Sequence, residues 1–293
     1  MFVPAENTGK VLVISSCLLS LLVGGNALAQ GVSVAPSRIL LDGRTRAATV
    51  FLSNRSDEAA TYRISLAFYR MREDGALIPA DSTFTEAENF AAEVLRYSPR
   101  RVVIPAGGSQ TVRLLVRRPA GRNVDDQEFR AHLSVCSVPT VPRLREVEEI
   151  PPDLPEENFV ARLVASVETL VPIIVRFGHP EAQLAVSATS ILPLGPEGRP
   201  AVTFTLDRTG QRSLYGDLTV THVNPTGRET QLFYGRGIAI YTPNPRRVFT
   251  ITPRDTTLDL RAGHVLMHYQ ETEDGGGDLQ VRAEIWPSQL SRR

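Results

Sequence analysis

Apolar and polar residues alternate along much of the chain after residue 30. One face of the run 61–69 carries Tyr62, Ile64, Leu66 and Phe68. The same period of two recurs in 111–117 and 128–135, and it is typical of half-buried β-strands. Turns rich in glycine, proline and asparagine separate these runs, which predicts an antiparallel sandwich or barrel. The residues 86–96 allow a short helical turn, which would be an addition to this all-β arrangement.

The stretch 139–158 interrupts the strand pattern with five prolines and six acidic residues. Such a composition cannot pack a core, so it predicts a mobile loop. A long strand is predicted after the loop, at 159–177, and Gly178–Pro180 indicates a hinge. Further strand patterns lie at 201–206, 217–223, 230–241, 247–252, 264–270 and 278–286. We therefore predict two β-sandwich domains of ordinary size, at 30–177 and 178–293.

Residues 1–29 have the organisation of a secretory signal peptide. Lys10 precedes an apolar run at 11–25, and the small-x-small sequence Ala-Leu-Ala ends at Ala29. A membrane anchor is the alternative, but the run is short for a bilayer span of about 20 residues. Cleavage after Ala29 predicts an exported, soluble protein. It would remove the single lysine and one of the two cysteines, leaving Cys136 and no intrachain disulfide.

Composition and motifs argue against several classes of function. Lysine and arginine total 32, as do aspartate and glutamate, so the formal net charge is zero and gives no electrostatic case for binding nucleic acid or an anionic membrane. The chain has no G-x-S-x-G elbow, H-E-x-x-H helix, phosphate-binding loop or dinucleotide fingerprint. His264 and His268 would share a strand face without a third metal ligand, and Cys136 fits a buried structural thiol. We predict no enzymatic activity, metal or cofactor.

Several short segments occur together in a characteristic order. Arg38–Gly43 places an arginine before three apolar residues and Asp-Gly, and Ser98-Pro99 is followed by Ile104–Gly107 and then by Gln110–Arg113. Glu128 lies eleven residues before Pro139. In order and spacing these segments resemble the periplasmic chaperones of the chaperone–usher pilus pathway, in a divergent branch. The resemblance covers most of the mature chain and implies two immunoglobulin-like domains in an L- or boomerang-shaped arrangement.

The resemblance implies a chaperone that binds pilus or fimbrial subunits by donor-strand complementation and delivers them to an outer-membrane usher. Strand addition of this kind satisfies the backbone groups of a sheet edge, while alternate side chains fill an apolar groove. The donor face would carry Phe159, Ala161, Leu163, Ala165 and Val167. Alternatively, that face packs on this protein's own core, because period two fixes a face but not its partner. An apolar edge also favours a self-capping dimer of the free protein.

The resemblance further implies two sets of charged residues. Arg38 matches the arginine that anchors the subunit's terminal carboxylate, but Pro172 replaces the family's anchoring lysine. Arg176 could take over that role, another arginine could, or one anchor could suffice. Glu128, Arg176 and Asp274 match a salt bridge that fixes the angle between the domains, the alternative being three unrelated surface charges.

Two rival functions remain for an exported pair of β-sandwiches. The first is an adhesion or surface-scaffold protein that uses the sandwiches for display, which the fold alone does not exclude. The second is a hydrolase or carbohydrate-binding module, which would need convergent acids and exposed aromatic residues. The sequence offers a single tryptophan, Trp286, near its C-terminus.

Overall fold

The computed structural model describes residues 31–80, 83–118, 121, 124–139, 166–192 and 199–287. The predicted signal peptide and nearly all of the predicted acidic loop lie outside these ranges. No helix within the described ranges is long and apolar enough to cross a membrane.

The first eleven strands form two facing sheets and a small hairpin. They are β1 Val32–Ala35, β2 Ile39–Leu41, β3 Ala47–Asn54, β4 Ala60–Ala67, β5 Tyr69–Met71, β6 Leu77–Pro79, β7 Leu95–Ser98, β8 Arg101–Ile104, β9 Ser109–Val116, β10 Gln127–Val138 and β11 Glu168–Phe177. One sheet has the order β1-β3-β9-β7, the other has the order β2-β11-β10-β4-β8, and β5 pairs with β6. Alternate residues of these strands, such as Val50, Tyr62, Leu114 and Ile173, meet in one hydrophobic core.

One helix, α1 Glu86–Val94, packs against this core. Thr85 begins it with a capping box, since its side chain accepts from the Glu88 amide and the Glu88 side chain accepts from the Thr85 amide. The helix buries Phe90, Ala91 and Val94. The short helical turn that the sequence allows in this region is present, as a helix that ends at Val94.

The remaining strands build a second sandwich with a core of its own. They are β12 Ala182–Leu192, β13 Ala201–Gly210, β14 Leu214–Val223, β15 Glu229–Ile240, β16 Arg246–Ile251, β17 His264–Glu271 and β18 Gln280–Ile285. Their sheets have the orders β12-β13-β16 and β15-β14-β17-β18. Phe204, Leu218, Val220 and Tyr269 are fully buried between them. The all-β prediction is confirmed, and the chain passes from one sandwich to the other between Phe177 and Ala182.

The predicted strand at 159–177 differs from the structure in its described part. The strand begins at Glu168, and Ser166 and Val167 precede it outside regular pairing. Val167 still contacts the end of β10, because its amide donates to Ser137 Oγ at 2.8 Å and its carbonyl accepts from the Ser137 amide at 2.9 Å. A side chain thus takes the place of one ladder bond, which is why regular pairing stops there.

Candidate functional site

Within the described residues, the first half of β11 has a strand partner on one side only. On one side β11 pairs with β10 from Glu168 to Phe177, antiparallel. On the other side it pairs with β2, in parallel and only at Ile173–Val175. Among the described strands none pairs with this second side at 168–172. An edge of this kind presents backbone groups to which a further strand can be added.

The side chains of β11 separate into two faces. Val171, Ile173, Val175 and Phe177 enter the first core. The predicted donor residues have the same parity, but Phe159, Ala161, Leu163 and Ala165 lie outside the described residues. Val167 is described, and the residue is 42% exposed. Val167 itself is therefore not part of the protein's own core.

Arg38 lies where the two sandwiches meet. It immediately precedes Ile39, whose partner in β11 is Ile173, so it lies beside Pro172. Its Nε donates to the carbonyl of Asp274 at 3.0 Å, and its Nη1 donates to the hydroxyl of Tyr241 at 3.0 Å. The guanidinium carbon also lies 4.2 Å from the ring centroid of Tyr215. The residue is only 8% exposed, and its Nη2 has no hydrogen-bond partner.

Glu128 and Arg176 form a buried salt bridge across β10 and β11. Arg176 Nε lies 2.9 Å from Glu128 Oε2, and the side chains are 6% and 0% exposed respectively. Arg176 Nη1 donates to the carbonyl of Gly275 at 2.7 Å, and Nη2 donates to that of Ser213 at 3.2 Å. Glu128 Oε1 accepts from the amide of Ser213 at 3.0 Å and from its hydroxyl. This pair therefore connects both sandwiches.

The contacts bear on two residues of the sequence-predicted site, Asp274 and Arg176. Asp274 contributes its backbone carbonyl, to Arg38, instead of a carboxylate to the Glu128–Arg176 pair. The reason is the short 3-10 turn Glu273–Gly275, which directs its carbonyls at both arginines. Every side-chain nitrogen of Arg176 already has a protein acceptor, so a carboxylate anchor at this residue would have to displace one.

Arg130 and His132 lie on the same face of β10 as Glu128. Neither of them was predicted from the sequence as a site residue. In β10 they lie opposite Ile174 and Pro172 of β11. Arg130 Nη2 donates to the carbonyl of Tyr69 at 2.8 Å, and its guanidinium carbon lies 4.4 Å from the ring centroid of Tyr241. Burial lowers the pKa of Arg130. Its Nε and Nη1 lack hydrogen-bond partners.

His132 is 1% exposed, and neither of its ring nitrogens has a partner. Its ring meets that of Tyr69 edge-on, with centroids 5.3 Å apart. Burial, and then the charge of Arg130, lowers the pKa of His132 to about 3. The imidazole is therefore neutral at pH 7. The alternation of charged and apolar residues in 128–133 was the available signal, because it puts Glu128, Arg130 and His132 on one face.

Other candidate chemistry is dispersed. The described part of the chain has no group of three histidine, cysteine or acidic residues that could hold a metal. His264 stacks on Trp286, with ring centroids 4.5 Å apart. Cys136 is half-buried, and its Sγ lies 3.3 Å from Ser166 Oγ. A buried structural thiol was predicted from the sequence, and the structure shows Cys136 only partly buried, two residues before β10 ends at Val138.

Comparisons with known proteins identify structural relatives but no sequence relatives. No protein-family model matches the chain, and no curated protein sequence matches it. Solved structures of chaperone–usher pilus chaperones match most of the chain at low sequence identity. The YadV chaperone matches at a TM-score of 0.46 with 13% identity, over 87% of this chain and 99% of that chain.

Two further matches come from named organisms. The CupB2 chaperone of Pseudomonas aeruginosa matches at a TM-score of 0.43 with 12% identity, over 87% of this chain and 100% of that chain. A chain of the CsuC–CsuE chaperone–tip adhesion subunit pre-assembly complex, from the archaic chaperone–usher Csu pili of Acinetobacter baumannii, matches at a TM-score of 0.43 with 14% identity. That match covers 88% of this chain and 100% of that chain.

Proposed function

We propose that this protein is a periplasmic chaperone that binds pilus or fimbrial subunits by donating a strand and delivers them to an outer-membrane usher. The observation that carries the proposal is the unpaired edge of β11 at 168–172, which follows directly on the alternating apolar run 159–167. Segment order and spacing from Arg38 to Glu128 support the same function. Export by a signal peptide at 1–29 is part of the proposal.

The proposed function requires only backbone hydrogen bonds to the subunit and burial of apolar side chains in its groove. A subunit that lacks one strand exposes both an apolar groove and unpaired backbone groups. The edge of β11 supplies the missing hydrogen bonds, and the donor face of 159–167 enters the groove. No covalent bond is made or broken, so the proposed function needs neither a catalytic residue nor a cofactor.

The junction between the sandwiches would hold the end of the subunit. Arg38 is buried there with a free Nη2, and a guanidinium can bind a carboxylate through two parallel hydrogen bonds. The Glu128–Arg176 pair binds Ser213 and Gly275 of the second sandwich and so keeps this junction in one geometry. We assign Arg176 to this structural role and Arg38 to the anchor.

We expect Leu163→Glu to reduce recovery of a subunit complex at least about tenfold, because an unpaired carboxylate in an apolar groove costs several kcal/mol. The chain with its own signal peptide would be tagged and co-expressed in a periplasm with the pilin-like subunits encoded beside it. The subunit-to-chaperone ratio would be measured after purification. Val167→Glu should also lower the ratio, because Val167 adjoins the open edge and is exposed.

Val103→Glu is the matched control. Val103 is 62% exposed on β8, at the opposite edge of the same sheet, so it should leave a stoichiometric complex intact. Equal recovery with Leu163→Glu and Val103→Glu would reject the donor strand and favour the display scaffold. A folded wild-type protein that retains no subunit would contradict the chaperone function itself.

A further inference from the structure

Most of the buried side-chain nitrogens that lack a hydrogen-bond partner in the described residues lie on one sheet face. The described residues have eight buried side-chain nitrogens without a hydrogen-bond partner, and five of them belong to Arg38, Arg130 and His132. Buried polar groups in folded proteins are nearly always paired, and leaving them unpaired is costly. So many on one face indicate that an acceptor from another molecule completes the site.

Among the described residues, the arginines Arg38 and Arg130 of this face also lack a salt-bridge partner. Neither Arg38 nor Arg130 forms an ion pair with a carboxylate of the described residues. Glu128, the acid on the same face of β10, is held by Arg176 and Ser213. A buried guanidinium at Arg38 and a half-buried one at Arg130, neither of them in a salt bridge, favour an anion.

Tyr241 brings the two arginines to one place. Its hydroxyl accepts from Arg38 Nη1 at 3.0 Å, and its ring centroid lies 4.4 Å from the guanidinium carbon of Arg130. Arg130 is diagonal to Pro172, because His132 is the direct partner of Pro172 and Arg130 is two residues away on β10. Arg130 of β10 thus places its positive charge near Pro172 of β11.

We propose that Arg130 is the second cation of a carboxylate-binding site, that it acts together with Arg38, and that His132 donates a ring N–H to the same carboxylate. The carboxylate is the C-terminal group of the bound subunit, and this identity rests on the proposed function. A planar carboxylate accepts parallel hydrogen bonds from guanidinium groups, which suits Arg38 Nη2 and Arg130 Nε and Nη1. On binding, a carboxylate oxygen replaces the Tyr241 hydroxyl as the acceptor for Arg38.

The binding of synthetic peptides measures what the terminal carboxylate alone contributes to affinity. The last twelve residues of the captured subunit would be synthesised with a free C-terminal carboxylate and with a C-terminal amide, and titrated against the full mature chain. The wild type should prefer the carboxylate about tenfold to a hundredfold, the range expected for hydrogen bonds to a charged group. Arg130→Gln should lose most of that preference while binding the amide peptide as the wild type does.

The amide peptide is the control for misfolding, because a misfolded variant would lose its affinity for both peptides. Arg113→Gln, at an exposed arginine of β9 in the other sheet, should keep the full preference. A carboxylate preference retained in Arg130→Gln, or absent in the wild type, would overturn the site and leave strand donation standing.

Sodium formate gives a readout that needs no subunit. Thermal unfolding would be compared in formate and chloride at equal ionic strength, and formate should raise the Tm of the wild type more than that of Arg130→Gln. Equal shifts in both proteins would overturn the anion site even if no subunit is captured. A formate effect without a carboxylate preference among the peptides would identify a site for an adventitious ion only, and would reject the subunit assignment.

Discussion

We expect Glu128→Ala to lower the free energy of unfolding by about 3–5 kcal/mol, the usual cost of removing one partner of a buried ion pair. The change leaves Arg176 buried with a charge that only carbonyl oxygens face. It also removes the acceptor of the Ser213 amide, which belongs to the second sandwich. Urea unfolding followed by far-ultraviolet circular dichroism would measure the loss.

An exposed pair and a double variant serve as controls for this result. Glu73 and Arg246 lie 3.9 Å apart with side chains 61% and 51% exposed, so Glu73→Ala should cost less than about 1 kcal/mol. Replacing both Glu128 and Arg176 with methionine should recover much of the stability, because no buried charge is left without a partner. A Glu128→Ala variant as stable as Glu73→Ala would show that the pair does not stabilise the junction of the two sandwiches.

The strands that sequence alternation predicts well are those with one face in a core. In β10 the residues Phe129, Ala131, Leu133 and Val135 all enter the first core, as their period of two predicts. Strand β12 was not predicted, although Leu184 and Val186 pack on the second core. A bulge between Ser187 and Ser190 shifts its register, so the buried Ile191 falls out of phase with the earlier apolar residues.

The candidate site could be predicted only in part, for a related reason. The resemblance named Arg38, Glu128 and Arg176, and the structure brings all three to the junction of the sandwiches. It did not name Arg130 or His132. Alternation assigns a polar face to solvent, and nothing in a local pattern reveals that tyrosines from elsewhere in the chain cover that face. Long-range packing therefore decides which polar residues become buried.

We expect the stability of the wild type to fall by about 2–3 kcal/mol between about pH 7.5 and about pH 4.5 through His132 alone. Its pKa is about 3 in the folded protein because the ring is buried, and Arg130 adds a smaller effect in the same direction. Histidine in an unfolded chain has a pKa of about 6.5. As pH falls through 6.5 the unfolded chain therefore binds the proton first, and stability decreases until the folded pKa is reached.

His132→Phe tests this dependence, because phenylalanine keeps a ring against Tyr69 and cannot take up a proton. The difference in free energy of unfolding between the wild type and this variant should change by about 2–3 kcal/mol over that pH range, while carboxylates common to both proteins cancel. His179→Gln is the control, since His179 is exposed and should leave the wild-type profile intact. Parallel profiles for the wild type and His132→Phe would mean that His132 accepts a proton in the folded protein, and that the face beside Arg130 is already open to water before any partner binds.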